Sequence, residues 1–219
     1  MNMQDRDLRQ RDIVPPEPLA TCRATVIGVG AVGRQVALQL AAMGVPWLQL
    51  IDFDTVEVVN LACQGYLEDD LGKPKVQATA DLCRRLNSQV QIQIIPERFR
   101  RSQEVGNIVF TCVDSIATRK VIWESTRDRA SLFVDGRMAA EVLRVLAVYD
   151  QASAAHYPTT LFTAEQAYAG ACTAKSTIFT ANICAGLMVS RLARWLRRFP
   201  LEPDITINLL TDELSVGVT

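Results

Sequence analysis

The sequence predicts a doubly wound, mostly parallel α/β sheet closed by a long C-terminal helix and a terminal β-hairpin. Two observations carry that expectation. Strand-like and helix-like segments alternate as far as Asp135, a pattern that calls for right-handed crossovers between parallel strands. The first strand also runs directly into Gly28-Val-Gly30-Ala-Val-Gly33, glycines that let a helix start close against the strand it leaves. With 219 residues, 49% hydrophobic and 21% charged, the chain has the material for one sizeable core.

Residues 1–20 are polar and then proline-rich (Pro15, Pro16, Pro18), an arm ahead of one domain over residues 21–219. Within that domain, residues 21–135 form a first half and residues 136–219 a second. Residues 24–28 read as a buried strand. Val32, Val36 and Leu40, flanked by Ala37 and Ala41, keep the spacing of an inward helix face until Gly44. Residues 47–52 give a second strand, and Val76, Ala80, Cys83 and Leu86 a helix after Pro74. Residues 90–95 alternate strictly, and residues 108–113 form a strand buried on both faces by its composition, with a helix after Ser115. Residues 132–135 and 142–148 are further strands. Residues 150–171 show no strong period and read as a long connection. Helical spacing returns at Met188, Leu192, Trp195, Leu196 and Phe199, with Arg191, Arg194, Arg197 and Arg198 as a solvated face. Pro200 ends that helix, and residues 205–210 and 214–218 make a hairpin across Thr211-Asp212.

Composition excludes several classes. Lys and Arg number 23 against 24 Asp and Glu, a net charge of −1 that speaks against coating nucleic acid or an anionic membrane. The apolar stretch 178–189 contains Asn182 and is too short to span a bilayer. Six cysteines form no CxxC pair, so no zinc is expected, and a charged start is unlike a secretion signal. The expectation is a reduced, cytoplasmic protein. His156, the single histidine, cannot build a metal cluster and reads as a loop residue.

The chemistry concentrates around the glycines. Gly28, Gly30 and Gly33 allow backbone N–H groups to approach phosphate oxygens at a helix N-terminus. Asp52, 19 residues after Gly33, is placed to take ribose hydroxyls. This much fits an NAD-dependent oxidoreductase as well as an ATP-binding enzyme. The next block does not: Asp52 and Asp54 are followed by Asn60-Leu-Ala-Cys63-Gln64. That block resembles the ThiF/MoeB/HesA adenylyltransferases, bacterial relatives of ubiquitin-activating enzymes, and among them the ThiF-like proteins of plasmid PRTRC systems. Leu71-Gly72-Lys73-Pro74-Lys75-Val76 and Cys112-Val113-Asp114-Ser115 with Arg119 follow in the family's order, so the resemblance runs from about residue 9 to the C-terminus.

The resemblance implies a Rossmann-like fold, a homodimer, and ATP-dependent adenylation of the C-terminal carboxylate of a ubiquitin-like or sulfur-carrier protein with a Gly-Gly-type tail. It implies roles for single residues too. Lys75 neutralises the triphosphate, Asp114 holds Mg2+, and Asn60 donates to a phosphate. Asp54 acts through the metal or by fixing its loop. One departure stands out: the family's arginine before Gln64 is Cys63 here, and a thiol cannot replace a guanidinium. Arg9, resembling an arginine that reaches into the partner subunit, is the first candidate to replace it, with Arg11 and Arg34 as alternatives. Cys172, ahead of Lys175, is the candidate thioester cysteine. Asp135-Gly-Arg137 is a candidate lining for the carrier tail, with Arg137 meeting its carboxylate. An ATP-binding homologue without turnover, or a half-site that needs a paralogue, is the alternative that Cys63 suggests.

Overall fold

The computed structural model of the chain describes residues 6–162 and 177–217. Strands β1 (Arg23–Ile27), β2 (Trp47–Ile51), β3 (Gln91–Ile95), β4 (Ile108–Thr111) and β5 (Leu132–Ala139) pair in parallel. Strands β6 (Val142–Val148), β7 (Asp204–Asn208) and β8 (Glu213–Val216) continue the sheet antiparallel. The order across the sheet is β3-β2-β1-β4-β5-β6-β7-β8. The helices are α1 (Pro16–Leu19), α2 (Ala31–Met43), α3 (Val58–Gln64), α4 (Lys75–Leu86), α5 (Ile116–Thr126), α6 (Gln151–His156) and α7 (Ile178–Leu196). Side chains from α2, α4 and α7 pack one face; α5 and the segment around Tyr157 pack the other. The expected doubly wound architecture is the observed one.

The alternation in the sequence becomes two unlike faces. Ala24, Val26, Leu48 and Leu50 enter the larger core, as do the partly buried Ile92 and Ile94. Between them runs a polar row in register: Thr25 Oγ1 donates to Gln49 Oε1 (2.9 Å) and Gln49 Nε2 to Gln93 Oε1 (3.1 Å). The Gly106 N–H donates back to Thr25 Oγ1 (2.8 Å), so these buried groups are satisfied. Strand β3 is an edge strand, which is why its alternation is the plainest in the chain.

Several expectations hold to within a residue or two. Gly44 (φ 99°) caps α2, Pro74 precedes α4, and Ser115 caps α5 by accepting from the Thr118 N–H. The terminal hairpin turns at Asp212 (φ 53°).

Three expectations are corrected. Residues 151–160, expected as open connection, hold α6 and a 3-10 turn over Tyr157–Thr160. The cause is local capping: the Ser153 N–H donates to Asp150 Oδ1 (2.8 Å) and the Asp150 N–H to Ser153 Oγ (3.1 Å). This turn then drives Tyr157 into an aromatic cluster with Trp123 and Phe133. Second, His156, expected as a loop residue, ends α6 and its Nε2 lies 2.9 Å from Asp204 Oδ2; Cys172 lies outside the described residues. Third, Arg191 is only 3% exposed, because it falls on the stripe that carries Met188 and Leu192.

The arm is docked. Arg6 donates to the carbonyls of Ala41 (3.1 Å) and Ala42 (2.7 Å), and Gln10 Nε2 to that of Met43 (2.8 Å). These carbonyls lie at the C-terminal end of α2, where a cation is favoured; that of Ala41 also accepts from the Gly44 N–H, while those of Ala42 and Met43 have no helical partner. Arg9 and Arg11 stay exposed.

Candidate active site

The sheet order puts a switch point between β1 and β4: the chain moves from β1 towards β3, then returns to β4 and moves the other way. Crevices at such points, beyond the carboxyl ends of the strands, are where open α/β sheets take ligands. The Gly28–Gly33 turn and Asp114 both lie there.

Each glycine does something different. Gly28 has φ 85°, and a Cβ there would stand 2.8 Å from the Cys112 carbonyl oxygen. A Cβ at Gly33 would stand 1.8 Å from the Gly28 carbonyl oxygen, so helix and turn require glycine for packing alone. A Cβ at Gly30 would meet only Gln64 Oε1, at 3.9 Å. Protein packing does not demand that glycine. The N–H groups of residues 30–33 donate to no acceptor among the described residues, and no side chain caps α2. These unspent donors and the helix dipole make an anion cradle whose floor is Gly30.

Gly30→Ala is therefore expected to fold as the parent does and to lose nucleotide binding. Thermal unfolding with ATP at about 100 times its Kd should give roughly 2.7 kcal/mol of stabilisation to the parent. The same stabilisation in the variant would remove Gly30 from the site.

Acids and Lys75 brace this cradle. Asp52 accepts from the Val29 N–H (2.6 Å) and the Asp54 N–H (2.8 Å), fixing the turn to the end of β2. Burial raises its carboxyl pKa, against the pull of those two backbone bonds. Lys75 opens α4, is 6% exposed, and holds Asp54 Oδ2 at 3.1 Å. Its own N–H bonds the Asp54 carbonyl (2.9 Å), so backbone and side chain of Asp54 both hold the start of α4. The ammonium is thus paired with Asp54 rather than with Asp114. Asp114 is exposed beyond β4, and no donor engages its carboxylate among the described residues. Asn60 Oδ1 accepts from the Glu57 N–H (2.9 Å), which leaves its amide nitrogen without an acceptor among the described residues.

Cys63 donates to the Val59 carbonyl one turn back (3.3 Å). Burial pushes the Cys22 thiol up to about 11 and those of Cys83 and Cys184 to about 12. Arg137 is not free to meet a carrier: its Nε, Nη1 and Nη2 go to Asp135 Oδ2, the Thr160 carbonyl and Thr160 Oγ1. Arg9 sits at the wrong end of α2 to reach its own cradle, since 13 helical residues at about 1.5 Å each put roughly 20 Å between them.

Two groups escaped sequence reasoning. Tyr66 donates to the Val29 carbonyl (2.6 Å) and so fastens the glycine turn from beneath. Gln64 Oε1 is buried without a donor, close to Gly30. The Asn60…Gln64 spacing pointed at the second; nothing in the sequence pointed at the first. Two cavities among the described residues, of about 170 Å³ beside Arg6 and Asn87 and about 420 Å³ beside Trp123 and Tyr149, lie away from the glycine turn.

These features define a doubly wound α/β protein built to receive an anion at the start of α2. The chain belongs to the ThiF family, whose profile matches residues 9–214. It is 33% identical over 118 residues to the molybdopterin-synthase adenylyltransferase of Salmonella typhimurium, covering 51% of this chain and 47% of that one. It is 33% identical over 134 residues to the SAMP-activating enzyme E1 of Haloferax volcanii, covering 57% and 50%. Against the adenylyltransferase and sulfurtransferase MOCS3 of Sus scrofa the figures are 35% over 133 residues, 54% and 29%. These matches span half or less of each relative's length. The fold is that of PaaA (TM-score 0.74, 19% identity, 92% of this chain and 65% of that one). It is also that of Escherichia coli MccB crystallised with ATP (0.70, 16%, 92% and 65%).

Proposed function

We propose that this chain adenylates the C-terminal carboxylate of a small ubiquitin-like or sulfur-carrier protein, consuming ATP and releasing pyrophosphate. The observation that carries the proposal is the cradle of unspent N–H groups at residues 30–33, in a chain of the ThiF family. Relatives named as adenylyltransferases and as a SAMP-activating enzyme support it.

In this reading the amides of residues 30–33 and the Asn60 amide hold phosphate oxygens, and Asp52 receives the ribose. The carrier carboxylate attacks the α-phosphorus, and the bond to the bridging oxygen breaks. Its electron pair leaves with pyrophosphate, so no general base is needed. The enzyme's task is alignment and neutralisation of charge on the leaving group, to which Lys75 contributes. Magnesium fits the donor set: Asp114 offers an unengaged carboxylate, and no group of three or more His, Cys, Asp or Glu forms a cage among the described residues. That ion, held by Asp114 and the phosphates, would neutralise the pyrophosphate.

The arm gives the reading a second subunit. Exposed Arg9, with Leu8 (56% exposed) and Ile13 (55%) beside it, is presented outward and away from its own cradle. In a homodimer it enters the partner's site. Arg9→Ala should lower ATP–pyrophosphate exchange by about 10²-fold at unchanged melting temperature. Mixing it with Asp114→Asn should restore activity, since mixed dimers then hold one intact site; activity that stays additive would rule out sharing.

The direct test is ATP–pyrophosphate exchange with a carrier ending in Gly-Gly. A second reading, an ATP-binding homologue without turnover, is favoured by Cys63; stabilisation by ATP with no exchange would establish it. Stabilisation by NAD in place of ATP would establish an oxidoreductase, which gives Asn60, Lys75 and Asp114 no common role. If the adenylate passes to a thiol, Cys172 is the proposed acceptor, and Cys172→Ala should lose a reducible conjugate. The same reading places the chain in the reducing cytoplasm, without nucleic-acid or membrane partners.

A further inference from the structure

We propose that Arg34 supplies the positive charge beneath the nucleotide's phosphates, from α2, in place of the arginine that this chain lacks at Cys63. The inference rests on the adenylation reading for its ligand, and on Arg34 for its evidence. Arg34 is the residue that follows the cradle, and it is 2% exposed. Its Nε and Nη2 are buried with no acceptor among the described residues. The guanidinium lies over the Tyr66 ring at 4.6 Å, and Tyr66 in turn holds the Val29 carbonyl of the glycine turn.

Among the described residues no carboxylate pairs with it directly. Asp70, the acid named in its surroundings, gives Oδ1 to Lys73 (3.2 Å) and Oδ2 to the Leu67 N–H (3.2 Å). Burial lowers the pKa of Arg34, and Tyr66 and Asp70 nearby offset that cost only in part. A buried cation of that kind is stabilised by an anion brought nearby, and the anion cradle of residues 30–33 ends one residue before it. The end of α3 lies beside Arg34. A Cβ at Gly65 would stand 4.0 Å from Arg34 Nη1, and Cys63 lies two residues before Gly65 on α3. The C-terminal end of the helix that carries Cys63 thus borders the space around Arg34. Arg9 and Arg11, the other candidates, are exposed on the arm at the far end of α2. Arg34 is a positioning residue in this scheme: it acts through Tyr66 and through its field, without touching substrate.

The test uses the full chain with ATP and adenosine as probes, reading thermal shift and the KM for ATP in pyrophosphate exchange. Arg34→Met should weaken ATP binding at least tenfold while leaving the adenosine shift unchanged. Arg34→Lys should keep most of the affinity, and Arg34→Met with Cys63→Arg should return it to within about threefold of the parent. Cys63→Arg alone, at a half-exposed position that tolerates it, should change affinity less than threefold because the charge is already present. A tenfold gain from Cys63→Arg alone would overturn the proposal. So would equal losses for ATP and adenosine in Arg34→Met, which would mark a purely structural role. A parent that binds ATP but exchanges no pyrophosphate would refute adenylation, while the ATP and adenosine shifts would still judge Arg34. A parent that does not bind ATP would end both.

Discussion

Asp114→Asn is expected to lower ATP–pyrophosphate exchange by about 10²–10³-fold with no measurable change in melting temperature. The combination is what makes the variant informative. Asp114 is exposed beyond the end of β4, and nothing among the described residues donates to it, so the fold does not depend on its charge. Exposed substitutions of that kind stay within about 0.5 kcal/mol of the parent. Losing a group that organises charge around a leaving pyrophosphate costs far more, typically 10²–10³ in rate. The asparagine keeps size and shape and removes only the hard anionic ligand that magnesium prefers. Exchange within threefold of the parent, over a range of magnesium concentrations, would remove Asp114 from the chemistry.

Asp135→Ala is expected to act in the opposite way, on stability first. Asp135 is fully buried and gathers three donors: Arg119, Arg137 Nε at 2.8 Å, and the Tyr157 hydroxyl at 2.9 Å. Removing it leaves two guanidinium groups without their carboxylate inside the protein. Breaking one partner from such an arrangement costs about 3–5 kcal/mol. For a chain of this size that corresponds to a fall of roughly 10 °C in the melting temperature. Chemical denaturation should show the same loss at an unchanged slope. A loss below about 1 kcal/mol would mean that Arg119 and Arg137 find other acceptors, for which the Gly136 and Thr160 carbonyls are nearest.

The parts of this molecule that follow a local rule were legible in the sequence. Helix α2 could be read from its glycines and its apolar spacing, and β3 from its alternation, because period and caps act within a few residues of one another. The Gly28–Gly33 turn, Asp52 and Lys75 were legible for the same reason, since they sit where strands end and helices begin. What was not legible depends on distant partners. Arg119, Arg137 and Tyr157 meet on Asp135 only because β5 and the turn at Tyr157 are brought together by the fold. Arg137 consequently looked available for a carrier when its donors were already committed. Arg191 looked like one of four solvated arginines, although the stripe containing Met188 and Leu192 takes it inside. The short α6 went unseen because its strength lies in two reciprocal caps and not in any apolar period.

The way the arm grips α2 decides how its arginine can be examined. Arg6 and Gln10 cover the last carbonyls of the same helix whose opposite tip carries the Gly30 cradle. Cutting the chain after Gln10 would therefore strip the Ala42 and Met43 carbonyls of their donors at the moment it deletes Arg9. A shortened protein that loses activity would then report a loosened strut as readily as a missing finger, and only single-residue exchange tells the two apart.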